Sequence, residues 1–114
     1  MKHRNKYYAK KTNCAQGHTH GSKKEANRCN ELSDMQRRGE ISCLEQQPQF
    51  WFAINGRPLT HANGHRVGYK ADFRYCVAGG KVVVEEVKGF SVRDWPLRRA
   101  VFLALFPDIT FREI

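Results

Sequence analysis

Asp72, Glu86 and Lys88 are the residues of this chain whose types and spacing could do chemistry. Lys81 to Lys88 reads as a β-strand with a Val82-Val83-Val84 run, and side chains alternate along a strand, so Glu86 and Lys88 share a face that Val87 does not. If the loop before it spans Ala78 to Gly80, Val77 pairs with Lys81 and Asp72 falls opposite Glu86, their Cβ atoms roughly 4.5–5.5 Å apart. A two-residue Gly79-Gly80 turn would instead bring Asp72 to the face of Glu85. The first register is preferred, because Glu85 would leave Lys88 on the wrong side of the strand; Glu85 is then a residue that supports the site from behind its ligands or forms a salt bridge, and the sequence alone does not decide between Glu85 and Glu86. Two carboxylates that close repel each other. A divalent cation removes the penalty, and Mg²⁺ takes sites made of one or two carboxylates, water and substrate phosphate oxygens. An ammonium beside such an ion can orient or help deprotonate a water and offset charge building on phosphorus. The chemistry this suits is phosphodiester hydrolysis.

Six elements must position these groups. Ser22-Lys-Lys-Glu25 is a capping-box pattern opening a helix over residues 22–38, with Ala26, Cys29, Leu32 and Met35 as its apolar stripe and Gly39 as its stop. Ile41 to Phe52 reads as a strand, with Pro48 marking an edge or a bulge. Asn55 to Pro58 is a turn, and a loop continues to Gly68. Tyr69 to Val77 alternates, with Tyr69, Ala71, Phe73, Tyr75 and Val77 on one face and Asp72 on the other. The valine-rich strand follows, reading as central and buried on both sides. Asp94 can cap a second helix, with Pro96 in its first turn and Pro107 beyond its end, and Ile109 to Ile114 is a last strand. The order helix, strand, strand, strand, helix, strand predicts one α/β domain with a central mixed sheet.

With 20 Lys and Arg against 11 Asp and Glu in 114 residues, the net charge of +9 points to a polyanionic partner. No apolar stretch approaches the roughly 18–20 residues that span a bilayer, and the basic N-terminus lacks a secretory apolar segment. Residues 1–21 read as a basic arm and 22–114 as the folded domain. Lys10, Lys11 and Lys23, with Arg93, Arg98 and Arg99 around the second helix, are the candidate phosphate contacts. Three of the four cysteines fall in regular elements and read as buried thiols. Cys14, His18, His20 and Cys29 have the ligand types of a zinc site, but their spacing favours ordinary loop and core residues. His61-Ala-Asn63-Gly-His65 reads as a polar loop.

Tyr69-Lys-Ala-Asp72-Phe73 and Val84-Glu-Glu86-Val-Lys88-Gly89, preceded by Ser22-Lys-Lys-Glu25 on a helix, resemble the PD-(D/E)XK nucleases. Within that class they are most similar to small phage proteins related to Holliday-junction-resolving endonucleases. Ala71 stands where the class name has proline. The resemblance implies a restriction-endonuclease-like core and an active site of Glu25, Asp72, Glu86 and Lys88, with the metal on Asp72 and Glu86. It also implies Mg²⁺ or Mn²⁺ as cofactor, branched DNA as substrate and a homodimer. The expected location is cytoplasmic, in the host cytoplasm if the chain is phage-encoded. The alternative expectation is a non-catalytic nucleic-acid-binding module of a phage replication or packaging complex.

Overall fold

The structure is a computed structural model that describes residues 12–15, 17, 19–20, 22–87 and 93–114. Lys10, Lys11, His18 and Lys88 lie outside the described residues. A two-residue antiparallel pair, β1 (Thr12–Asn13) and β2 (Thr19–His20), precedes α1 (Lys23–Arg37). Part of the stretch expected to be an arm is thus paired, and Cys14 is buried in the core beside α1. Next come β3 (Ser42–Gln46), β4 (Gln49–Trp51), β5 (Ala53–Ile54), β6 (Arg57–Pro58), β7 (Gly68–Lys70), β8 (Phe73–Cys76) and β9 (Val82–Glu86). The chain ends with α2 (Trp95–Leu105) and β10 (Thr110–Glu113). Four strands form the central sheet in the order β10-β9-β8-β3, with β9 and β10 parallel and the other pairs antiparallel. The fold is α/β with a mixed sheet, as expected. No helix among the described residues is long and apolar enough to cross a membrane.

The valines of β9 explain the layering. Val83 packs with Ala26, Cys29 and Leu32 of α1, together with Phe73 and Tyr75, whereas Val84 packs with Phe102 of α2, Phe50, Phe52, Tyr69 and Ala71. Neighbouring residues on a strand point to opposite faces, so the two helices cover opposite sides of the sheet. α1 starts where expected, because the Ser22 hydroxyl accepts from the Glu25 amide at 3.1 Å. Asp94 does precede α2, yet its side chain makes no capping bond; Arg98 one turn on draws it into an ion pair at 2.6 Å instead.

Two strands expected to be continuous are broken. Ile41–Phe52 divides into β3 and β4 around Gln47 and Pro48, where Gln47 sits at φ 50°. Opposite it, Tyr69–Val77 divides into β7 and β8 at Ala71 and Asp72, which bond the interruption as Ala71 N to Pro48 O (3.0 Å) and Gln47 N to Asp72 O (2.8 Å). Both strands bend together, so the pairing register does not slip. The bend moves the chain from one core to the other: Tyr69 and Ala71 belong to the α2 side, Phe73 and Tyr75 to the α1 side. The single aromatic face read from the alternation is therefore two faces. Cys43, expected inside a strand, is exposed at φ 54° where β3 bulges against β8.

Phe102 is the fully buried hub of the α2-side aromatic cluster, with ring centroids 4.9–5.7 Å from those of Phe50, Tyr69, Phe106 and Phe111. Phe102→Ala should destabilise the protein by about 3–5 kcal/mol in urea unfolding.

Candidate active site

The β8–β9 hairpin decides which acids meet. Val77 N donates to Lys81 O at 2.9 Å and Gly80 N to Val77 O at 3.1 Å, with Gly79 and Gly80 at φ 86° and 77°. The loop is therefore Ala78–Gly80, and the ladder runs on to Phe73 opposite Glu85. One step further, Asp72 N donates to Glu85 O at 3.2 Å, which brings Asp72 to the level of Glu86. Of the two registers open in the sequence, this is the one that pairs Asp72 with Glu86.

The glutamate doublet divides by face. Glu85 points to the α1 side, where it is fully buried. Arg28 grips it with both prongs, Nε to Oε1 at 2.7 Å and Nη2 to Oε2 at 2.6 Å. The Tyr75 hydroxyl donates to the same carboxylate, and Arg112 approaches at 3.7 Å. These bonds hold the Arg28 guanidinium firmly in its charged form. Glu85 is thus a neutralised core carboxylate.

Glu86 points to the other side, where the Tyr69 hydroxyl donates to its Oε1. Burial pushes its carboxyl up to about 7; the Tyr69 hydrogen bond opposes that rise, and the charges of Glu25 and Glu113 add to it. Asp72 is pushed up to about 8, first by burial, then by the charge of Glu86 and then by that of Glu25, which also hydrogen-bonds to it. The Val87 amide, donating to Asp72 Oδ2 at 2.7 Å, works against this rise. Glu25 comes from the first turn of α1 and is 7% exposed. Because the chain passes between the two cores at Asp72, an acid from the α1 side and one from the α2 side both reach it.

Two partners here carry no local sequence signal for the site. Alternation shows Tyr69 only as a strand aromatic, whereas in the structure its hydroxyl fixes one oxygen of Glu86. Glu113 lies beside Glu86 because β10 pairs in parallel with β9 at that position, and Arg99 Nε donates to its carboxylate at 2.6 Å. Strand pairing across a crossover helix leaves no local mark in the sequence. Of the expected DNA contacts, Lys10 and Lys11 lie outside the described residues. Lys23 and Arg93 are exposed. Arg98 bonds Asp94 and the carbonyl of Gly68, and Arg99 is engaged with Glu113, so both hold α2 against the sheet.

Among the described residues, no three His, Cys, Asp or Glu side chains are gathered into a ready-made metal cage. The donor set nonetheless fits a hard divalent ion. Asp72 and Glu86 supply carboxylate oxygens from facing positions, and the partly buried charge of Glu86 beside Asp72 is what such an ion neutralises. Mg²⁺ commonly takes only one or two protein carboxylates and completes its shell with water and phosphate.

A family model described as "Protein of unknown function (DUF1064)" matches residues 4–114. No curated protein and no solved structure matches the chain.

The doublet gives a test by substitution. In metal-free protein, Glu85→Gln should cost about 3–5 kcal/mol in chemical unfolding by stranding Arg28, whereas Glu86→Gln should leave stability unchanged or raise it. The acids also set a pH dependence. Asp72 and Glu86 titrate higher in the folded than in the unfolded chain, so the folded state binds more protons between about pH 4 and 8 and stability falls across that interval as pH rises. The melting temperature of metal-free protein should drop over this range, Mn²⁺ should restore it at pH 8, and Asp72→Asn should flatten both responses.

Proposed function

The chain belongs to the DUF1064 family, and we propose that it is a metal-dependent endodeoxyribonuclease with a restriction-endonuclease-like core, acting on branched DNA such as four-way junctions. The observation that carries this reading is Asp72 facing Glu86 at one end of the β8–β9 hairpin, with Glu25 hydrogen-bonded to Asp72. The element order and the mixed sheet agree with the PD-(D/E)XK resemblance, and so does the assignment of Glu86 rather than Glu85 to the acid group.

Asp72 and Glu86 would hold Mg²⁺ or Mn²⁺. Such an ion, when bound, polarises a phosphate oxygen and acidifies water. The protein's own contribution is to fix the ligands. Val87 N orients the Asp72 carboxylate, the Tyr69 hydroxyl orients that of Glu86, and Glu25 braces Asp72 from α1. Lys88 follows Val87 directly, and its assignment rests on the sequence: its ammonium would orient the attacking water and offset charge on the phosphate. The net charge of +9 supports a polyanionic substrate. A four-way junction offers two equivalent strands, which suits a symmetric dimer with one site per protomer.

Incubating the protein with a labelled four-way junction, a linear duplex and a single strand tests the proposal. The junction should be cut in Mg²⁺ or Mn²⁺ and stay intact in EDTA. Asp72→Asn and Lys88→Ala should each lower the rate by about 10²-fold or more while junction binding changes by less than a few fold. If every DNA stays intact in both metals, the enzyme reading is wrong; persisting salt-sensitive affinity would then favour a non-catalytic binding module.

A further inference from the structure

Between Gln46 and Ala71 the chain contains no aspartate or glutamate, but it does contain Arg57, Arg66 and Lys70. This acid-free segment includes the β4–β7 ladder, in which Gln49 pairs with Lys70, Phe50 with Tyr69 and Trp51 with Gly68. The ladder has two chemically distinct faces. Phe50, Phe52, Val67 and Tyr69 turn inward to the aromatic core. Gln49, Trp51, Arg66 and Lys70 are exposed.

Trp51 is the large apolar side chain that the outward face of this ladder leaves exposed. It is 47% exposed, and the guanidinium of Arg66 lies 5.1 Å from its ring centroid. Beneath it, Gly68 is buried, and a Cβ there would come within 2.8 Å of Trp51 Cε3 and 2.4 Å of Phe50 O. Glycine at this position lets the indole lie against the strand backbone. The ring is thus held from below and flanked by a cation, with much of its surface left to solvent. Aromatic rings presented this way stack on nucleobases, and a neighbouring arginine can serve both base and phosphate.

We propose that the outward face of the β4–β7 ladder, centred on Trp51 and Arg66, is a platform for an unpaired DNA nucleotide and selects branched or single-stranded DNA over blunt duplex. The inference rests on DNA being the substrate. A base inside a duplex already has both faces stacked, so a splayed base is what can lie on Trp51. From Gly68 to Asp72 is four residues, at most about 14 Å of extended chain. A strand anchored on the platform is therefore within a few nucleotides' reach of the acids, and Lys70 lies between the two in the chain.

Binding of a labelled single strand, a forked duplex and a blunt duplex, measured by anisotropy in EDTA, tests the platform apart from cutting. Trp51→Ala should weaken the single strand and the fork by about tenfold or more and the blunt duplex by less than about twofold, and Trp51→Phe should recover most of the loss. Arg66→Ala and Lys70→Ala should weaken binding and each reduce the salt slope for the single strand by roughly 0.7. The platform is refuted if Trp51→Ala binds all three DNAs as the wild type does, if no DNA binds at all, or if the substitution alters only self-association in sedimentation. Should binding follow the expected pattern while no metal supports cutting, the nuclease reading fails and the platform stands. Should cutting occur with binding indifferent to Trp51, the reverse holds.

Discussion

Two partly buried carboxyl groups at the same level of an antiparallel ladder are the constraint around which this structure is arranged. Burial raises the proton affinity of both Asp72 and Glu86; the charges of Glu86 and Glu25 raise that of Asp72 further, and those of Glu25 and Glu113 that of Glu86. The surroundings moderate the strain but do not remove it. One backbone amide reaches Asp72 and one phenol reaches Glu86, and the arginines near the hairpin's end are committed elsewhere, Arg28 to Glu85 and Arg99 to Glu113. A fold selected for stability alone would neutralise such a pair, as it does with Glu85 one residue away. The contrast between adjacent glutamates, one satisfied by a bidentate guanidinium and the other set among acids, is the physical reason for proposing the cluster as a site.

The bend at Ala71 and Asp72 is what makes the cluster possible. A straight strand would keep Tyr69, Ala71, Phe73 and Tyr75 on one side, and Asp72 would see only one helix's residues. Because the chain changes cores at that point, Asp72 receives Glu25 from α1 and faces Glu86 on the α2 side. Pro48 on the neighbouring strand takes part, since its carbonyl accepts the Ala71 amide while its own lack of N–H interrupts regular pairing.

Much of this was legible in the residues themselves. The capping Ser22 and the double-sided valines of β9 are local signals; the Gly79-Gly80 hairpin leaves two registers open in the sequence, and only the shared face of Glu86 and Lys88 favours the one that the structure adopts. The strand break was not legible, because alternation through Tyr69 to Tyr75 looks unbroken and the bend depends on Gln47 and Pro48 more than twenty residues earlier. Tyr69 and Glu113 are not legible for a related reason: they reach the acids through tertiary packing and a parallel pairing set by α2. Asp94 shows a competition that sequence does not rank, in which a cap residue also lies four positions before an arginine. Lys88 remains the part of the proposed site that rests on strand alternation.

The hydrogen bond from the Val87 amide to Asp72 Oδ2 places a spectroscopic reporter inside the acid cluster. That proton is attached to the main chain of the strand that carries Glu86, yet it points at the carboxylate of the opposite strand. Its nuclear magnetic resonance frequency is therefore tied to the ionisation of Asp72, and its exchange with deuterated solvent to how often the two strands part. A single backbone signal can thus follow both the charge and the opening of the cluster without altering any residue in it.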